Sequence, residues 1–142
     1  MRRLTAGSFF FLIVVMALLE FGCDATDVDC ICTADFKQIT FVAVDVDENP
    51  VTDMDITVMV GRTGQVLDVG QSQFLMAQGI YTVFDDGFRH IIPAKVNTVG
   101  ERLEVTGIGS AGQFEAHFEV SVPGECACHV HKISGPDTVT VD

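Results

Sequence analysis

The sequence predicts an all-β protein, a single antiparallel β-sandwich of about seven strands following an N-terminal export signal. Three observations carry this. Phe114, Ala116, Phe118, Val120 and Val122 alternate with Glu115, His117, Glu119 and Ser121, the period of two that a strand with one buried face requires. Other apolar runs are punctuated at short intervals by Gly, Pro, Asn and Asp clusters, and no long helical period interrupts them. Two C-x-C pairs, Cys30/Cys32 and Cys126/Cys128, stand at either end of this region.

The chain opens with Arg2 and Arg3, followed by the apolar run Phe9 to Leu19 and the small residue Gly22 before Cys23. A charged start, an apolar core too short to span a bilayer and a small residue at the cut are the parts of a secretory signal. Residues 1–22 are therefore read as a signal peptide and residues 23–29, short and acidic, as a tether. Residues 30–133 form the sandwich, and residues 134–142 a tail or an edge strand.

Strands are expected at Lys37–Val46, Met54–Val60, Gly79–Phe84, Phe88–Ile92, Arg102–Gly107, Phe114–Val122 and Glu125–Lys132. The turns between them fall at Glu48-Asn49-Pro50, Gly61 to Gly64, Asp85-Asp86-Gly87, Gly107 to Gly112 and Pro123-Gly124. Val66 to Ala77 suits either a strand pair or a loop. About 120 residues remain after the signal, enough for one domain with its own core.

The full chain carries 8 Lys+Arg against 20 Asp+Glu. Loss of Arg2, Arg3 and Glu20 with the signal leaves the mature protein at net −13. A surface this acidic argues against nucleic acid as a partner, since the phosphate backbone is bound by clustered Lys and Arg.

Leu19-Glu20-Phe21-Gly22-Cys23 resembles a bacterial lipoprotein signal, which implies cleavage before Cys23 and modification of that cysteine by a diacylglycerol group bearing palmitate-type acyl chains. Val44-Asp45-Val46-Asp47-Glu48-Asn49-Pro50-Val51, followed by Ile56-Thr57-Val58 and by Gly79-Ile80-Tyr81-Thr82-Val83, resembles carboxypeptidase regulatory-like domains. Cys126-Ala127-Cys128-His129-Val130 is similar to the close of related envelope lipoproteins. The resemblance implies a transthyretin-like sandwich of the immunoglobulin-like class, in an exported, membrane-anchored lipoprotein facing the periplasm or cell exterior. Members of that family are mostly non-catalytic, and the resemblance supplies no catalytic residues.

Residues i and i+2 of a strand share a face, so each C-x-C pair presents two thiols side by side. Cys30, Cys32, Cys126 and Cys128 are read as two disulfides, in keeping with an oxidising compartment. Antiparallel neighbours would join Cys30 to Cys128 and Cys32 to Cys126; parallel neighbours would join Cys30 to Cys126 and Cys32 to Cys128. The rival is a metal site for zinc or copper(I) in which Cys126, Cys128, His129 and His131, the C-x-C-H-x-H segment, are completed by Cys30 and Cys32, although the strand period puts the cysteines on one face and His129 and His131 on the other. Separately, His117, His129 and His131 would form an imidazole patch for a transition metal if their strands pair. The acidic turn around Asp45, Asp47, Glu48, Asp53 and Asp55 is a second metal candidate, for Ca²⁺, although an ordinary hairpin tip explains it without one.

No G-x-S-x-G, H-E-x-x-H, P-loop or dinucleotide fingerprint is present. Glu115 and Glu119 share a face but lie about 13 Å apart at strand rise, too far for paired glycosidase carboxylates. The expectation is a non-enzymatic cell-envelope lipoprotein with no cofactor, acting as a disulfide-stapled binding or spacer module. Its partners would be the membrane, through the lipid anchor, and another envelope protein or a glycan. The alternative is a metal-binding envelope protein.

Overall fold

Apolar alternation and turn chemistry place eight strands in the computed structural model, which describes residues 31–92, 100–124 and 126–142. The expected signal, Cys23, the tether and Cys30 lie outside the described residues. In chain order the strands are β1 (Gln38–Val44), β2 (Asp55–Val60), β3 (Val66–Leu67), β4 (Ile80–Asp85), β5 (Glu101–Gly109), β6 (Gly112–Ser121), β7 (His131–Ser134) and β8 (Thr138–Thr140).

They form a three-stranded sheet in the order β4-β1-β8 and a five-stranded sheet in the order β3-β2-β5-β6-β7. All pairings are antiparallel except β1 with β8, which is parallel. The sandwich is thus mixed where full antiparallel pairing was expected. The last residues are the cause: they return alongside β1 and bury Val139 and Val141.

The period-two reading of β6 holds for its apolar face, while Ser121, expected on the wet face, is buried as well. Phe114, Ala116, Phe118, Val120 and Val122 are all buried. They meet the inward residues of the opposite sheet in a ring cluster centred on Phe41, whose centroid lies 5.3 Å from Phe114, 6.0 Å from Phe118 and 5.8 Å from Tyr81. Aromatic pairs at these separations add to the large apolar area they remove from water. The β5–β6 hairpin closes at Gly109 and Gly112. Gly112 has φ 139°, and a Cβ there would meet the Asp142 carbonyl at 2.5 Å. That close approach lets Gln113 and Asp142 exchange two backbone hydrogen bonds.

Two expected strands are corrected. Phe88–Ile92 is not a strand: Asp86–Ile91 is a 3₁₀ helix. Asp85, in place of a hairpin turn, caps it by accepting from the Gly87 N–H at 2.8 Å. Glu125–Lys132 is not a strand over its described length either; the strand begins at His131. Ala127 adopts φ 45°, its N–H bonds back to Gly124 O, and extended pairing is impossible until this turn ends. Val66 to Ala77 holds the short β3 and one helix, α1 (Gln73–Met76).

The segment before α1 protects a sheet edge. Gln71 donates through Nε2 to Thr82 O and accepts at Oε1 from Thr82 N, both at 2.9 Å. Its side-chain amide stands in for a neighbouring strand on the outer edge of β4.

Tyr81 is fully buried in β4, and its hydroxyl donates to Val51 O at 2.9 Å and accepts from Met54 N at 3.0 Å. This tie holds the β1–β2 connection onto the core. Burial pushes the Tyr81 hydroxyl above its ordinary value, the Met54 N–H opposes this, and the charge of Asp53 adds to it. Its stability contribution is fully present below the ordinary tyrosine pKa and is lost as pH rises through the folded value. Tyr81→Phe leaves a buried donor and acceptor without their partner and is expected to lower unfolding free energy by about 1–3 kcal/mol. Urea titration of both proteins at neutral pH measures it, and an unchanged midpoint would contradict the tie.

Candidate functional site

The residues that carry chemistry gather at one end of the sandwich, where three chain segments meet. These are the stretch before β1, the 3₁₀ helix after β4 and the connection from β6 to β7. A covalent bridge joins the first to the third. Cys32 and Cys128 are disulfide-bonded with Cα atoms 5.4 Å apart across 96 residues, which is the pairing the parallel alternative required. Cys126 is also disulfide-bonded. Neither Cys32 nor Cys128 lies in a strand, so the shared-face argument for the C-x-C pairs does not describe how they are presented.

Asp86 joins the second segment to the other two. It is buried, at 6% exposure, where a carboxylate persists only with partners. Its Oδ2 accepts from the Lys37 N–H at 2.9 Å and lies 2.7 Å from His129 Nδ1; its Oδ1 accepts from the Val130 N–H at 2.8 Å. The Asp86 N–H donates in turn to Lys37 O. Burial is the largest influence on the Asp86 carboxyl and pushes it up. The His129 hydrogen bond, the two backbone N–H groups and the His129 charge together outweigh it and hold the group below its ordinary value.

His129 continues the line outward. Its Nε2 lies 2.8 Å from Thr33 Oγ1. Thr33 and His129 are the residues that follow the two bridged cysteines, and the bridge sets them side by side. An open groove of about 430 Å³ lies in front of them, walled also by Asp35, Phe36, Arg89 and His90. Phe36 is 60% exposed, and Arg89 Nη1 donates to Cys128 O at 3.4 Å.

The sequence-predicted ligands do not come together. His117 sits on the outer face of β6, opposite Glu104 and 3.8 Å from Glu115. His131 pairs with Ser121, four residues and about 13 Å further along the strand. His129 is turned instead toward Asp86 and Thr33. The imidazole set of the metal alternative is corrected accordingly, and among the described residues no group of three His, Cys, Asp or Glu is placed to hold a metal ion.

The acidic turn also separates. Asp45 accepts from the Asp47 and Asn49 N–H groups and from the Asn49 side chain. Its bonds to Asn49, chiefly, hold it below the ordinary carboxylate range. Asp53 accepts from Ser110 N across the sandwich end, so these carboxylates serve two different turns.

Asp86 and Thr33 are the site residues that motif reading misses. Asp86 hides in a D-D-G string with a common turn signature, and Thr33 belongs to no motif. The one usable signal was the pair of Cys-polar steps, Cys32-Thr33 and Cys128-His129.

Compared with protein-family models, curated proteins and solved structures, the chain matches none.

Asp86→Ala is expected to lower stability at neutral pH by about 2–3 kcal/mol, because charge-assisted bonds are lost and the Val130 N–H stays buried. Since the folded pKa is lowered, the wild-type contribution is present above the ordinary aspartate value and is lost as pH falls through the folded value. The gap between wild type and Asp86→Ala should therefore narrow on acidification. Thermal unfolding from neutral to strongly acid pH tests this; a gap independent of pH would contradict it.

Proposed function

We propose that this chain is an exported cell-envelope lipoprotein whose sandwich acts by binding or by spacing at a disulfide-stapled end. The observation that carries the reading is the Cys32–Cys128 bridge. A buried-core domain of this size has no need of a staple to fold, and structural disulfides persist chiefly in oxidising compartments. The bridge lies nine residues after Cys23, so a lipid there would place the stapled end at the membrane side of the domain. Signal and tether, residues 1–22 and 23–29, are the matching sequence features, and the resemblance to carboxypeptidase regulatory-like domains agrees with a non-catalytic accessory role.

Within this reading the groove beside the bridge is the contact surface. Its wall combines an exposed ring, Phe36, with a cation, Arg89, and a carboxylate, Asp35. Apolar and polar groups mixed in this way suit an envelope protein loop or a glycan, which offers both hydroxyl groups and C–H faces. The acidic surface again disfavours nucleic acid.

The test is an intact mass of the protein purified from its native membrane, read with and without reductant. The expected mass corresponds to cleavage before Cys23 plus acyl chains, with four hydrogens gained on reduction. A chain that retains residues 1–22, or begins at an unmodified Cys23, would overturn the anchored reading.

A further inference from the structure

Asp86, His129 and Thr33 form one hydrogen-bonded line from the interior to the groove. The inner end fixes the chemistry of the outer end. Asp86 accepts from two backbone N–H groups, Lys37 and Val130, and as a carboxylate it offers His129 only acceptor atoms. The imidazole must therefore donate from Nδ1, at 2.7 Å. In neutral histidine this leaves a lone pair on Nε2, aimed at the Thr33 hydroxyl 2.8 Å away. A hydroxyl donating to an imidazole that a buried carboxylate orients is the arrangement that activates an oxygen nucleophile.

Two further features distinguish this line from a purely structural one. Asp86 is buried while Thr33 is exposed in the groove wall, so the reactive end opens to a reactant. The Cys32–Cys128 bridge also holds the residues preceding Thr33 and His129, which fixes the pair before any reactant arrives.

We propose that Thr33 is a nucleophilic hydroxyl that accepts an acyl group from an activated carboxylic ester in the groove. Thr33 Oγ1 attacks the ester carbonyl carbon as its proton passes to His129 Nε2. The resulting oxyanion collapses, the bond to the alcohol oxygen breaks, and the departing oxygen takes the proton back from Nε2. One ester and one threonine hydroxyl become one acyl-threonine and one alcohol, with no electron transfer. Arg89, on the same wall, offers guanidinium donors to the oxyanion. Asp86 is a positioning residue that keeps Nδ1 protonated and balances the transient imidazolium. The inference goes beyond the anchored-module reading and does not rest on it: it concerns one hydroxyl, and an acyl group on Thr33 is compatible with a binding or spacing role.

The probe is p-nitrophenyl acetate, added to the purified, disulfide-intact full chain in mildly alkaline buffer. Phenolate release is followed together with peptide mass mapping. The expected result is phenolate release accompanied by an acetyl group on the peptide that carries Thr33. Thr33→Ser should retain both, while Thr33→Val and His129→Gln should slow release by about 100-fold or more. Thr33 is exposed, so Thr33→Val should keep the wild-type unfolding midpoint and separate lost chemistry from lost folding. Acetylation confined to lysines, release unchanged in Thr33→Val, or no release above buffer from wild type would each overturn the proposal. None of these results bears on the intact mass at Cys23.

Discussion

The Asp86 carboxylate is the constraint on which this end of the molecule depends. A charge with 6% exposure is costly unless it is matched in place, and here the match comes from parts of the chain far apart in sequence. Lys37 lies 49 residues before it, and His129 and Val130 lie 43 and 44 residues after it. Satisfying one buried group thus forces the entry into β1, the exit from β4 and the approach to β7 to meet. The disulfide acts on the same meeting from outside, by limiting how far the first and third segments can separate in the unfolded chain.

The rest of the sandwich is held by different physics. Phe41, Tyr81, Phe114 and Phe118 pack between the sheets as apolar burial dictates, and the alternation of buried and exposed residues along β5 and β6 sets their register. The buried Glu101 at the start of β5 is matched by Arg62 Nε at 3.0 Å. The polar ties sit where the sheets end. Tyr81 fastens the β1–β2 connection, Asp53 meets the β5–β6 turn at Ser110, Gln71 covers the edge of β4, and Asp86 closes the stapled end. Burial supplies the layers and hydrogen bonds fix their ends. The groove follows from that division, because its wall is irregular backbone held by a bridge and a carboxylate.

Strand periodicity was readable wherever one face is buried and the other wet, as in β6 and β1. It failed where side chains, and not the ladder, satisfy the backbone. Phe88 to Ile92 looks apolar enough for a strand, yet the Asp85 cap and the Asp86 anchor turn it into 3₁₀ helix. The segment from Cys126 to Val130 alternates on paper, but Ala127 at φ 45° and the Asp86 bond to Val130 make it a loop. The short return of β8 beside β1 depends on partners distant in sequence, which local pattern does not encode. The site was half legible: the cysteines and His129 stood out by residue type, whereas Thr33 and Asp86 acquire meaning only from the cross-chain geometry that the bridge creates.

The central claim is that Asp86, and not the covalent bridges alone, ties the three segments together. Amide hydrogen exchange at Lys37 and Val130, compared between wild type and Asp86→Asn with the disulfides intact, tests it most directly. The account predicts that exchange at these two amides accelerates by about tenfold or more in the variant, a loss of local protection of about 1.4 kcal/mol. Protection across β5 and β6 should stay as it was. Unchanged protection at Lys37 and Val130 would contradict the account, because the bridges would then hold the end of the sandwich without the buried carboxylate.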